Sequence, residues 1–150
     1  MQLAIQLGME GMNKNEGGPF GAVVVKDSEV IGRGNNKVIL LNDPTAHAEI
    51  VAIRDACSHL KSFQLDDCVI YTSCEPCPMC MGSIYWARPK LVYYGCTKTD
   101  AAHIGFDDNF IYQQLEIKNE LRQIPFINKD RENALTVFKA WKMKLDKTKY

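Results

Sequence analysis

Four residues of this 150-residue chain have the types and the spacing to do chemistry together: His47 and Glu49 in Thr45-Ala46-His47-Ala48-Glu49, and Cys77 and Cys80 in Pro76-Cys77-Pro78-Met79-Cys80. One imidazole nitrogen and two sulfurs are donors that Zn2+ prefers. Three protein ligands also leave a fourth tetrahedral position open for water, as catalytic zinc sites do and structural ones do not. Glu49, two residues from His47, is placed to carry that water's protons without coordinating the ion. The expected cofactor is one Zn2+ per chain.

The spacing also says where the metal sits. Residues two apart on a helix point about 200° away from each other, so His47 and Glu49 cannot both face one ion from a helix's side, and the ion belongs at a helix end. Asp43 followed by Pro44 reads as an N-cap and a first-turn proline, which puts His47 and Glu49 in the opening turns of a helix. Pro76 and Pro78 mark a second helix start, with Cys77 and Cys80 one turn apart on a common face. Two helix N-termini then converge on the ion, and their partial positive charge favours thiolate over thiol. Cys74 forms a second C-x-x-C with Cys77. In the turn before Pro76 it reads as loop packing; the rival is a non-catalytic module, with Cys74 as fourth ligand of a closed zinc site or as half of a thiol switch. Cys57, Cys68 and Cys96 read as small buried hydrophobes, and His59 and His103 as surface or loop residues.

The elements that must position these groups come from composition and pattern. A 46% hydrophobic content over 150 residues suffices for one domain spanning 1–150. Eighteen basic against eighteen acidic side chains give a formal net charge of 0, without the basic excess of a phosphate-backbone binder, so no nucleic acid is expected as partner. Lys139, Lys142, Lys144, Lys147 and Lys149 read as a solvated helix face. No apolar run approaches the roughly 18 residues of a membrane span and no secretory segment opens the chain; a cytoplasmic protein with no membrane partner is expected.

Leu3 to Met12 predicts a first helix, Ala22 to Lys26 and Val30 to Gly34 a hairpin turning at Asp27-Ser28, and Pro44 to about His59 a helix. Val69 to Thr72 follows as a strand, then the cysteine helix as far as Arg88, where Pro89 stops it, and Leu91 to Gly95 as another strand. Strand, helix, strand, helix, strand implies crossovers and some parallel pairing. The fold class expected is α/β, a three-layer α/β/α with a mixed, about five-stranded central sheet, the fifth strand near Ile124 to Ile127. The stretch 101–108 reads as a loop, Phe110 to Leu115 as a short helix, and Arg131 to about Lys147 as a last helix with Leu135, Phe138, Trp141 and Leu145 in one apolar stripe.

The H-x-E and P-C-x-x-C pair is the pattern of zinc-dependent nucleobase deaminases. Gly17-Gly18-Pro19-Phe20-Gly21-Ala22-Val23, Asn42 to Glu49, Tyr71 to Cys80 and Ile84-Tyr85-Trp86-Ala87-Arg88 resemble several branches of the cytidine-deaminase-like superfamily, tRNA adenosine deaminases included. Gly105 to Tyr112, Phe138-Lys139-Ala140-Trp141 and the terminal Tyr150 narrow the resemblance to the bacterial guanine deaminases. That resemblance implies hydrolysis of guanine to xanthine and ammonia in purine catabolism or salvage, with a small purine base as partner. The alternative substrates are tRNA adenosine or cytosine and its nucleosides.

The resemblance also implies a substrate site: Asn36 binding the purine, Phe20 lining the pocket, the backbone amide of Ala48 beside the metal ligand, and Asp108 accepting from guanine N–H groups, one position from Asp107. Each has a plainer reading, Phe20 as core and Asn36 as a turn residue. It further implies a homodimer in which the C-terminal segment, about 128–150, is exchanged and Tyr150 covers the neighbour's pocket, against the plainer reading of a frayed tail.

Overall fold

A computed structural model describes residues 1–149. The chain divides into two compact units, the first Met1–Asp108 and the second beginning at Asn109. In the first, helix α1 (Gln2–Asn13) leads to strands β1 (Gly21–Lys26) and β2 (Glu29–Asn35), which pair antiparallel. Asp27 and Ser28 both take positive φ at the turn between them, as a two-residue type I′ hairpin requires. A four-residue helix α2 (Val38–Leu41) precedes α3 (Ala48–Leu60), and β3 (Val69–Cys74), α4 (Pro78–Ala87), β4 (Leu91–Cys96) and α5 (Lys98–His103) follow.

The sheet order is β2-β1-β3-β4, antiparallel except for the parallel pair β3 and β4. Alternation along β1 sends Ala22 and Val24 to one face and Val23 to the other. Ala22 and Val24 pack in one buried cluster with Ala48, Ala52 and Ala56 of α3 and with Ile84 and Ala87 of α4. Helix α1 packs on the same strands and covers the opposite face, completing three layers. The expected mixed α/β/α architecture is therefore present, but with four strands.

Glycine makes the tight α3 packing possible. A Cβ at Gly34 of β2 would stand 2.2 Å from the Ala48 carbonyl oxygen and 2.5 Å from the Ala52 nitrogen, so only a residue without a side chain lets α3 lie this close to the sheet.

Several expectations are corrected. The helix expected from Pro44 begins at Ala48 instead. Asp43 acts locally: its Oδ1 accepts from the Thr45 N–H at 2.8 Å and the Thr45 hydroxyl at 2.7 Å, a side-chain turn that competes with helical bonding. Of the loop expected over 101–108, residues 101–103 belong instead to α5, started by a capping box in which the Thr97 hydroxyl accepts from the Asp100 N–H and the Asp100 carboxylate accepts from the Thr97 N–H. Cys96 is exposed, not a buried hydrophobe. His59 and His103 are exposed as expected.

The second unit holds α6 (Asn109–Glu116), a 3-10 turn at Asn119–Leu121 and α7 (Arg131–Met143), which ends earlier than the Lys147 expected. No strand forms at 124–127; Ile124, Phe126 and Ile127 are exposed, and Arg122 lies over the Phe126 ring at 5.1 Å. Along the expected stripe Leu135 is half-buried, while Phe138, Trp141 and Leu145 are exposed. Tyr150 lies outside the described residues. Among those described, no helix is long and apolar enough to cross a membrane.

Candidate active site

His47 is the N-cap of α3 and Cys77 the N-cap of α4, both extended (φ −69°, ψ 157° and φ −64°, ψ 168°). The two ligands therefore sit at helix starts, one residue before the first turn. The first amides of each helix lack intrahelical partners, and the two helix starts bring their capping side chains into one cluster. Pro78 begins α4 at a position where its missing N–H costs nothing, and Cys80 follows in the same first turn, fully buried.

The Nδ1 of His47 is 3.5 Å from the Cys77 sulfur and 3.5 Å from the Cys80 sulfur, and all three donor atoms lie within 4.8 Å of one another. A tetrahedral zinc with nitrogen at about 2.05 Å and sulfur at about 2.3 Å sets N and S about 3.6 Å apart. The nitrogen–sulfur separations thus fit that ion before it is added. Cys74 is not among the three donors. Its sulfur donates to the Thr97 carbonyl at 3.6 Å.

The electrostatics follow the geometry. The hydrogen bond from Cys80 holds the Cys77 thiol down to about 4, with His47 adding to the effect. That same bond, burial and the charge of Glu49 push Cys80 far up. A divalent cation held by both sulfurs would take them as thiolates and release the thiol protons. His47 is raised, chiefly by its hydrogen bond with Cys77. Burial also raises the Cys74 thiol, to about 11; what sets it apart from Cys77 and Cys80 is that its sulfur is turned to the Thr97 carbonyl and lies outside the donor cluster.

Glu49, one residue into α3 and buried, has an oxygen on each of two partners: Oε1 accepts from the Thr72 hydroxyl at 2.9 Å and Oε2 from the Cys80 thiol at 3.4 Å. Burial raises its carboxyl above the ordinary value, against the lowering effect of the hydrogen bonds from Thr72 and Cys80.

Of the substrate residues expected from the sequence, Phe20, Asn36, Ala48 and Asp108 all belong to the first unit. Ala48 is fully buried at the start of α3. The Asn36 backbone N–H donates to the Phe20 carbonyl at 2.9 Å. The Asn36 side-chain oxygen accepts from the Val38 N–H at 3.2 Å, which fixes the two ends of the amide. Phe20 meets Phe106 edge to face, centroids 4.9 Å apart at 88°. A Cβ at Gly18 would stand 2.9 Å from the Phe106 ring. Asp108 is half-buried while Asp107 is exposed. Burial and the Cys77 charge raise the Asp108 carboxyl, and its own charge is felt at His47, so of the two aspartates Asp108 faces the metal ligands. Thr72 and Phe106 were not picked out from the sequence. Both lie in motifs that were, Phe106 in Gly105 to Tyr112 and Thr72 in Tyr71 to Cys80, but no role follows from either motif for these two residues.

Residues 1–96 match the family model of the cytidine and deoxycytidylate deaminase zinc-binding region. Over all 150 residues the chain is 53% identical to the guanine deaminase of Bacillus subtilis, covering 96% of that protein. The chain belongs to this deaminase family, in its guanine deaminase branch. The crystal structure of a Bacillus subtilis guanine deaminase superposes with a TM-score of 0.97 at 54% identity, covering 99% of this deaminase and 95% of that chain. A guanine deaminase from Nitrosomonas europaea gives 0.67 at 30% identity, over 71% of this chain and 62% of the other. The tRNA-specific adenosine deaminase of Haemophilus influenzae is 38% identical over 105 residues, 66% of this chain and 61% of its own length.

Proposed function

We propose that the chain hydrolyses guanine to xanthine and ammonia, with His47, Cys77 and Cys80 holding one zinc ion and Glu49 carrying the protons. The observation that carries the substrate is identity of 53% along the whole chain with a guanine deaminase, where the matched tRNA deaminase of Haemophilus influenzae covers only 66% of it. Zinc bound at such a site supplies the acidity that makes water a nucleophile at neutral pH. Glu49 takes a proton from the attacking water, hands it to the ring nitrogen beside C2 and delivers a second to the departing amine. Water and guanine thus become xanthine and ammonia with no other reactant. Phe20 packs on the base, Asn36 and the Ala48 amide fix its edge, and Asp108 accepts from its N–H groups, a task a carboxylate does better than an amide.

The reading extends to a homodimer that exchanges its C-terminal segment, with Tyr150 covering the neighbour's pocket. It is supported by the exposed Phe138, Trp141 and Leu145 of the second unit, an apolar area that a partner chain would cover. A cytoplasmic setting and a role in purine metabolism belong to the same reading, since thiolate ligands need a reducing compartment.

Glu49→Gln tests the core of it. The variant is expected to keep close to one zinc per chain by metal analysis and to lose guanine turnover by about 10²- to 10⁴-fold, the usual contribution of a positioned acid–base group. A variant with near-wild-type turnover would remove Glu49 from the mechanism.

A further inference from the structure

The Glu49 carboxylate has partners on both oxygens, and they differ in kind. On Oε2 stands a metal-ligand sulfur, Cys80, at 3.4 Å; on Oε1 stands a hydroxyl from the sheet, Thr72, at 2.9 Å. Thr72 is fully buried. It occupies β3, second from the sheet edge, with Ala22 of β1 on one side in register and Tyr94 of β4 on the other. Ile70 and Cys74, two residues away in each direction, share its buried face and are ordinary core. An apolar β-branched residue would suit that strand position equally well for packing. The hydroxyl is what is specific.

A glutamate's last torsion is broad and roughly two-fold, so the backbone of α3 places the Glu49 carboxyl group but does not fix its plane. A donor anchored in a sheet strand does. We infer that Thr72 is a positioning residue for the deamination: its O–H holds Oε1 of Glu49, sets the carboxylate plane, and leaves Oε2 as the oxygen that moves protons on the metal side. Each turnover needs the same carboxyl to return to one place for successive transfers, and a fixed donor on Oε1 makes that return reproducible. The inference rests on the proposed role of Glu49 as proton carrier.

Thr72→Val keeps the shape and the β-branch and removes only the hydroxyl. With guanine as substrate, kcat is expected to fall about 10- to 100-fold, the scale of a small misplacement of a catalytic group, with KM within about twofold because Thr72 is fully buried and its hydroxyl is given to Glu49. Zinc content stays at the wild-type value, and Thr72→Ser returns kcat to within a few-fold. Should the valine protein fail to fold, Thr72→Ala is read against Thr72→Ser in the same way. Wild-type kcat in the valine or alanine protein overturns the inference, as does equal impairment of the serine protein, which would assign the effect to the lost methyl group. Glu49→Gln run in parallel separates the two readings. If it retains turnover, the shuttle itself is wrong; if it loses turnover while Thr72→Val does not, only the role of Thr72 falls.

Discussion

Cys74 and Cys77 are three residues apart in one motif, and the fold gives them opposite chemistry. Cys77 caps a helix, faces His47 and is held to about 4; Cys74 ends a strand, turns its sulfur to the Thr97 carbonyl and is raised to about 11. Cys74→Ser is therefore expected to leave zinc at one per chain and guanine turnover within a few-fold of wild type, while Cys77→Ser loses both; zinc lost with Cys74 and retained without His47 would instead describe a closed structural site. The metal donors were legible because each motif is local, four or five residues whose types and spacing already specify one ion's geometry. Asp108 could not be told from Asp107 in the sequence, because which of the two turns inward is decided by the backbone of the 104–108 loop. Thr72 was not legible for the opposite reason. Its partner lies 23 residues away in the chain, and nothing about a threonine in a strand announces a carboxylate across the layer.

Among the elements, the bodies of the patterned segments matched their expectations, and the ends set by side-chain bonds did not. The start of α3 shows why. Asp43-Pro44 has the composition of a helix start, but the Asp43 carboxylate takes the Thr45 N–H and hydroxyl, and burial of Ala46 carries the chain on to a helix that begins only after His47. The consequence is functional, since it moves His47 from inside the helix to its cap. Helix α5 had a readable sign in Thr97 and Asp100, a threonine and an acid three apart. The strand expected at 124–127 rested on a β-branched and aromatic run alone, without an ordered partner to pair with. At this scale Gly34 is the sensitive position, because α3 carries both His47 and Glu49 and lies against it. Gly34→Ala is expected to destabilise the protein by about 1–3 kcal/mol, as overpacking against backbone does, and to lower kcat together with Tm by shifting the start of α3. Thermal melts and guanine kinetics on the same preparation check this, and an alanine protein unchanged in both would mean that the helix has room to spare.

For the whole molecule, the two compact units differ in how they bury apolar surface. The first has a continuous core between sheet and helices. In the second, Phe110, Leu115, Leu121, Ile124, Phe126, Phe138 and Trp141 are all exposed, and none of its described residues is fully buried. The exchanged dimer proposed above would cover these side chains. In that arrangement, removal of residues 148–150 is expected to raise KM for guanine and lower kcat while the zinc content and the melting temperature hold; unchanged kinetics would make the tail dispensable. The sequence could not settle this, since the apolar stripe of a last helix looks the same whether its own chain or a neighbour's covers it. The central claim concerns the substrate. The most direct measurement is ammonia release by the zinc-loaded protein from guanine, guanosine, adenine, cytosine and a tRNA anticodon stem-loop, each assayed separately. Turnover of guanine to xanthine with the other four at background is the predicted result; release from the stem-loop or from cytosine, with guanine inert, would contradict it.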